Sequence, residues 1–475
     1  MKPQKTIVLL FTASALLFLS AILIPTLGCA IWIAFVPFLI AVSRLTPLKS
    51  FFFGLIIGIV FFVSLLYWIT FYNVRIFVTV IALTLPFFSS FGLLTSWFWK
   101  KWTNNYLRAF VPSIAWTAIT FLYSLTPLEI IGDQVALIQA PVFPGIVRVA
   151  GISGIAFLIL LTNSIIALWL TTKQKIFRNG FFAVLLVLAA GIFPPARSAQ
   201  STPVKVALVQ HNFPISASWR MPHRKDILAT YEKVIRDFGN TVDLIIFPQY
   251  GLPIDPLREP EWLDKLARLE HTSILLGTYI PKSPGGTIGE GEQFDIALLF
   301  SPERSVQEYR AVTPPPFRKI GQVRGTKRAP LLLGNTKIGV MLCYEDARPE
   351  EGRMWVKAGS EVVVALSNTG HFLGTPLPRY HLRQDQIRAI EIGKYIIRVS
   401  PNGFSAIVDP NGKITVQSKL GNEEVLKGVI YPNEDLTQFV KVGPVLPQVS
   451  TLLSLVLLIG SYGRDSMKRF ARKIR

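Results

Sequence analysis

Three polar residues stand directly after apolar, strand-like runs in the second half of the chain: Gln249 after "VDLIIFP", Cys343 after "KIGVML" and Asn368 after "VVVALS". Strand ends are where layered α/β folds assemble sites. Of the three, only the cysteine is a nucleophile. A thiol of pKa about 8.5 is only slightly ionised at neutral pH, so it needs a neighbouring base. Acyl chemistry also needs a cation or N–H donors for the charge that develops on oxygen. The other reading of Cys343 is a small hydrophobe packed at a strand end, and the residues alone leave both open. Cys29 and Cys343 are the only 2 cysteines, which excludes a disulfide framework and a thiolate knuckle. The 5 histidines, at 211, 223, 271, 371 and 381, show no metal-ligand spacing. With no dinucleotide or phosphate loop either, no cofactor is expected.

The elements that must hold these residues begin near residue 203. Short β-rich runs ("VKVALVQHNF", "VDLIIFPQY", "TSILLGTYI", "FDIALLFS", "VQEYRAV", "KIGVMLCYE", "SEVVVALSN") alternate with helix candidates at 223–239, 259–271, 350–359 and 380–394. Buried strands interleaved with helices point to an α/β layered domain. "DPNGKI", with Asn411-Gly412, reads as the turn of a late hairpin.

The first 195 residues are different in kind. Seven apolar stretches occupy about 6–26, 29–43, 51–71, 77–98, 107–125, 147–171 and 179–194, and an eighth lies near 446–461. Crossing a bilayer takes about 20 apolar residues. The whole chain is 51% hydrophobic and 16% charged, against about 25% charged in soluble domains. The net charge of +20 would suit nucleic acid, but its placement says otherwise. Lys2 and Lys5, then Arg44 and Lys49, then Lys100, Lys101 and Arg108, then Lys173, Lys175 and Arg178 fall on alternate sides of the apolar stretches. Arg464, Lys468, Arg469, Arg472, Lys473 and Arg475 follow the last one; the intervening loops hold Arg75, or Glu129 and Asp133. Lys and Arg mark the cytoplasmic side. The pattern puts both termini in the cytoplasm and the α/β domain on the outer face, with a lipid bilayer rather than nucleic acid as the partner. The expected division is 1–195 seven-helix membrane region, 203–440 α/β domain, and 441–475 terminal helix with basic tail.

"VALVQHNF" through Trp219, "LIIFPQYGLP", "CYE" at 343–345 and "ALSNTGHF…RYHLRQDQIRAIEIGKYIIRVSPNGFSAIVDPNGKI" over 365–414 together resemble the apolipoprotein N-acyltransferase family. The loop "GDQVALIQAPVFPGIVRVAG" at 132–151 is similar to that family's outer loop. The resemblance implies about eight membrane helices plus a nitrilase-type (carbon–nitrogen hydrolase) αββα sandwich, in the bacterial inner membrane with the domain on the periplasmic face. It implies that Cys343 takes an acyl chain from a phospholipid donor as a thioester and passes it to the α-amine of a lipoprotein's N-terminal diacylglyceryl-cysteine. A glutamate would serve as general base and a lysine would stabilise the oxyanion.

This chain departs from that pattern at two places. Gln249 stands at the position of the glutamate, and Ala311 at the position of the lysine in "YRAVTPPPF". A missing base typically costs about 10²–10⁴ in rate and a missing oxyanion donor roughly 10²–10³. Glu345 is a candidate substitute base, and Lys319 or Arg318 a candidate cation. Tyr344 is either a core aromatic or a substrate contact. Trp219 is either an interface anchor or a pocket wall. His371 and Phe372, beyond Asn368, form either a lid reaching the bilayer or a packed loop. Three functions follow: an acyltransferase, impaired or rearranged; an inactive relative that binds lipid or lipoprotein, or partners an active copy; and, last, a membrane-anchored amidase.

Overall fold

The computed structural model describes residues 3–129, 134–194, 201–213, 221–249, 271–283, 292–303, 305–313, 322–348 and 350–474. The chain forms two compact units, Met1–Pro194 with Val442–Arg475, and Pro195–Lys441.

The first unit is helical: α1 (Pro3–Leu23), α2 (Ile31–Arg44), α3 (Pro47–Leu66), α4 (Val74–Lys101), α5 (Asn105–Ser124), α6 (Pro144–Thr172), α7 (Lys175–Gly191) and a C-terminal helix, Val445–Ile474. Starts are set by side chains that accept orphan N–H groups: Thr46 for α3, Asn73 for α4 and Asn104 for α5. Among the described residues, six segments are long and apolar enough to cross a membrane: 4–23, 25–44, 47–71, 74–101, 144–172 and 445–462. Helix α5 is less apolar, with Arg108 in its first turn, and α7 has 17 residues, so both fall outside that set although they lie on the expected stretches. Close approach of α3 and α4 depends on glycine, because a Cβ on Gly54 would lie 2.3 Å from the Phe88 carbonyl and one on Gly92 2.5 Å from that of Ser50. Phe18, Phe35, Phe61, Phe88, Phe91 and Trp116 meet mostly edge-to-face in the middle of the bundle. Exposed residues such as Val8, Leu16, Phe52 and Leu186 leave an apolar exterior, as expected of a multi-pass membrane protein.

The second unit is a four-layer sandwich. Its first sheet runs β13-β1-β2-β3-β4-β5, with β1 (Val204–Gln210), β2 (Leu244–Gln249), β3 (Ser273–Pro281), β4 (Gln293–Phe300), β5 (Val306–Arg310) and β13 (Glu424–Ile430); β6 (Gln322–Val323) pairs with β4. The second sheet runs β12-β11-β10-β9-β8-β7, with β7 (Leu331–Leu333), β8 (Thr336–Leu342), β9 (Val362–Leu366), β10 (Ile396–Val399), β11 (Ala406–Val408) and β12 (Ile414–Gln417). The central strands β1-β2-β3 and β8-β9-β10 are parallel and almost wholly apolar, as strands covered on both faces must be. Helix α8 (Met221–Phe238) covers the first sheet through Ile227, Tyr231 and Val234, against Ile245, Phe247, Ile296 and Leu298. The alternate residues Leu244, Ile246, Leu275, Ala297 and Leu299 face the second sheet and join one core with Ile338, Val340 and Ile397. Helices α9 (Glu351–Lys357) and α10 (Leu377–Ile392) cover the second sheet from outside with Trp355 and Ala389. The expected hairpin is present. Asp409 shapes it, accepting the Asn411 and Lys413 N–H groups, while Gly412 supplies the positive φ of 81°. The helix candidate at 259–271 lies outside the described residues, apart from His271.

Candidate active site

Cys343 is the first residue after β8, and it adopts φ 52°. The left-handed conformation costs a non-glycine residue roughly 1–2 kcal/mol, and such strain gathers at functional positions. Strand geometry stops there: Cys343–Ala347 form a short 3₁₀ turn. Glu345 is therefore not on a continuing strand beside the cysteine. Its fully buried carboxylate turns back into the fold, where Oε2 accepts the Leu342 N–H at 3.0 Å. Oε1 accepts the Tyr309 hydroxyl at 2.7 Å and the N–H groups of Val312 at 2.8 Å and Thr313 at 3.0 Å. Burial, then repulsion from Glu351, pushes its carboxyl up to about 8, against the pull of those donors. Glu345 thus ties the turn that begins at Cys343 to the segment that follows Ala311.

A second buried network holds the turn from behind. Asp346 accepts Arg398 Nη2 at 2.6 Å and lies 3.5 Å from His381 Nδ1. Arg398 also binds Asp385 through Nε and Nη2. Burial alone would raise Asp346, but Arg398 and then His381 bring it down to about 2. Asp385 is pushed up by burial, and its neighbour Arg398 upward by the two carboxylates.

Gln249 closes β2. The register shifts between Ile246 and Gln249, so that Gln249 stands opposite Gly277 of β3. The amide is completely buried, and Nε2 donates to Asp295 Oδ2 at 2.8 Å. Oε1 has no hydrogen-bond partner among the described residues. Gly277 has no room for a side chain, since a Cβ there would lie 2.9 Å from Gln249 Cα and 3.3 Å from the Leu366 side chain. Ala311, just past β5, is buried in the core; its N–H donates to the Asp295 carbonyl at 2.9 Å, and its own carbonyl accepts the Gly325 N–H at 2.7 Å. Two guanidinium groups reach the same segment: Arg348 Nη1 donates to Thr313 Oγ1 at 2.6 Å and Arg328 Nη2 at 3.2 Å. Glu351 binds both arginines.

Gln249, Ala311 and Cys343 therefore lie at one end of the sandwich. Leu342, which precedes the cysteine, pairs with Leu366, and Leu366 lies against Gly277 beside Gln249. Asn368 follows β9 at that end, and its Oδ1 accepts the Gly370 N–H at 3.1 Å. Tyr344 and Phe372 are half-buried, the latter in a single turn over 370–372. Trp219, Arg318, Lys319 and the side chain of His371 lie outside the described residues. Sequence reasoning missed Asp295, although an acid inside the apolar run "FDIALLF" was a signal. It also missed Arg398, Asp385 and Glu351, which supply the support behind the turn.

The fold and site define a class: a multi-pass membrane protein that carries a carbon–nitrogen hydrolase domain with a cysteine at its strand end. Residues 205–434 match the family model described as carbon-nitrogen hydrolase, and 14–165 match the apolipoprotein N-acyltransferase N-terminal domain. Two relatives bear the name apolipoprotein N-acyltransferase. That of Geobacter metallireducens is 25% identical over 93% of either chain, and that of Nitrosomonas europaea 28% identical over 70% of either chain. The crystal structure of Saccharomyces cerevisiae Nit3, a nitrilase-superfamily member, aligns with a TM-score of 0.39 at 22% identity, covering 50% of this chain and 93% of its own. Both parts of the chain thus match a family model, and over most of its length the chain is similar to proteins named apolipoprotein N-acyltransferase.

Proposed function

We propose that this protein transfers an acyl chain from a phospholipid to the α-amine of a lipoprotein's N-terminal diacylglyceryl-cysteine, through a thioester on Cys343. The observation that carries the reading is Cys343 itself, held at φ 52° where β8 breaks into a turn, at the same strand-end mouth as the Gln249 and Ala311 positions. The relatives' shared name, apolipoprotein N-acyltransferase, supports the acceptor and the bond formed. The membrane region, 1–195 with 441–475, delivers a lipid donor to the domain at 203–440. The charge alternation along the helices supports placement in the bacterial inner membrane, with both termini cytoplasmic and the domain periplasmic.

A second reading has a specific observation behind it. Gln249 and Ala311 replace a carboxylate and an ammonium, which favours a relative that binds lipid or lipoprotein without turnover, or partners an active copy. Intact-mass analysis of detergent-purified protein after incubation with phospholipid separates the two. A hydroxylamine-labile acyl adduct that disappears in Cys343→Ala supports the transferase. No adduct, together with one gained on introducing Gln249→Glu and Ala311→Lys, supports the binding role.

A further inference from the structure

The carboxylate absent from position 249 is present one hydrogen bond away. Asp295 lies near the start of β4, two residues before Ala297 and four before Leu299, both of which face the second sheet; alternation puts Asp295 on that same inner face. It is 2% exposed, and its Oδ2 accepts from the buried Gln249 amide at 2.8 Å. Burying an acid inside an apolar strand is costly, and function is a common reason to retain it.

Two independent chains of contact link Asp295 to the nucleophile. In the first, the Asp295 carbonyl accepts the Ala311 N–H, and the next N–H groups, of Val312 and Thr313, donate to Glu345, two residues past the cysteine. In the second, Gln249 pairs with Gly277, Gly277 abuts Leu366, and Leu366 pairs with Leu342, the residue before Cys343. Glu345, the acid two residues past the cysteine, has its two oxygens occupied by Leu342, Tyr309, Val312 and Thr313.

We propose that Asp295 is the general base for Cys343, with the Gln249 amide as its positioning partner, so that the carboxylate and the amide have exchanged sites across one hydrogen bond. The proposal rests on the thioester reading above. In the first half-reaction the proton leaves Cys343 Sγ for an Asp295 oxygen, and the thiolate adds to the ester carbonyl of the phospholipid. The ester C–O bond then breaks, and the departing alkoxide takes the proton from Asp295 to leave a lysophospholipid and the thioester. In the second half-reaction the lipoprotein amine adds to the thioester carbonyl and gives a proton to Asp295. The C–S bond breaks, and that proton returns to the sulfur.

The test uses the full-length protein in a Cys29→Ser background, which leaves Cys343 as the single thiol. Asp295→Asn is expected to slow acyl-adduct formation from phospholipid by about 10² or more. The double exchange Gln249→Glu with Asp295→Asn puts the carboxylate back across the same hydrogen bond and is expected to restore the rate to within about tenfold of the parent. Asp295→Asn acylating at the parental rate, or a double exchange as slow as the single variant, overturns the proposal. If the parent itself forms no adduct, the thioester reading fails, and iodoacetamide alkylation of Cys343 at pH 7 then tests the base alone. A base that takes the thiol proton predicts slower alkylation in Asp295→Asn. Faster alkylation means that Asp295 was only a negative charge opposing thiolate formation, and overturns the proposal.

Discussion

Glu345 sits where an acid is held most awkwardly, fully buried with Glu351 near enough to repel it. Its carboxyl is pushed up to about 8 from an ordinary 4.5. A raised folded-state value means that the native protein holds the proton more tightly than the unfolded chain. The associated stability is therefore complete below about pH 4.5 and is lost as pH rises through about 8. Thermal unfolding in detergent between those limits is expected to show a falling midpoint, and Glu345→Gln a flatter profile from a lower start. The lower start follows because the glutamine Nε2 would face the Leu342 N–H, at a cost of about 1–3 kcal/mol. A profile as steep in the variant as in the parent would remove Glu345 as its source. Gly277 gives a second residue-scale prediction. The methyl of Gly277→Ala would lie 2.9 Å from Gln249 Cα, displacing the amide that holds Asp295. Misplacement of about 1 Å costs roughly 10- to 100-fold, so adduct formation should fall by that much in mass spectrometry while the protein still purifies as a folded species.

At the scale of elements, the turn that begins at Cys343 is held from two sides. Glu345 binds it to the end of β5, and Arg398 on β10 binds Asp346 to Asp385 on α10. Removing one partner of a buried ionic network leaves uncompensated charge, and typically costs about 3–5 kcal/mol. Arg398→Met is accordingly expected to lower the unfolding free energy by about that amount, read as a large drop in midpoint in a thermal-shift assay. Replacing Arg398, Asp346 and Asp385 together by apolar residues should restore much of the loss. These supports explain how much could be read from sequence. The runs "LIIFP", "IGVML" and "VVVALS" are apolar because both sheet faces are covered, so the strands and their polar termini were legible. The side chains' directions beyond the strand ends were not. Alternation carried past Leu342 would put Glu345 on the same face as the cysteine, whereas the left-handed Cys343 breaks the period and turns Glu345 inward. The register shift before Gln249 falls at Pro248, which has no N–H to give to the ladder, but the residue that Gln249 meets there, Gly277, is set by pairing with β3.

For the whole molecule, the two units were separable in sequence because their apolar patterns differ: runs of about 20 residues before 195, and strand-length runs after 203. Their sidedness rests on charge. Lys173 caps the end of α6, Lys175 and Arg178 lie in the first turn of α7, and the domain follows that helix in the chain, so a cytoplasmic start for α7 requires an external domain if the helix spans. At 17 residues α7 lies at the low end of the spanning range, which makes this step the one most in need of a direct test. With both native cysteines replaced by serine, Gln174→Cys and Lys282→Cys report the two sides of α7, since both positions are exposed. An impermeant maleimide added to intact spheroplasts is expected to label Lys282→Cys at once and Gln174→Cys only after permeabilisation. Labelling of both from outside would mean that α7 lies along the membrane surface, and would leave the domain's side to be set by α6. Labelling of Lys282→Cys only after permeabilisation would put the domain in the cytoplasm, out of reach of an exported lipoprotein, and would overturn the proposed acceptor as well as the orientation.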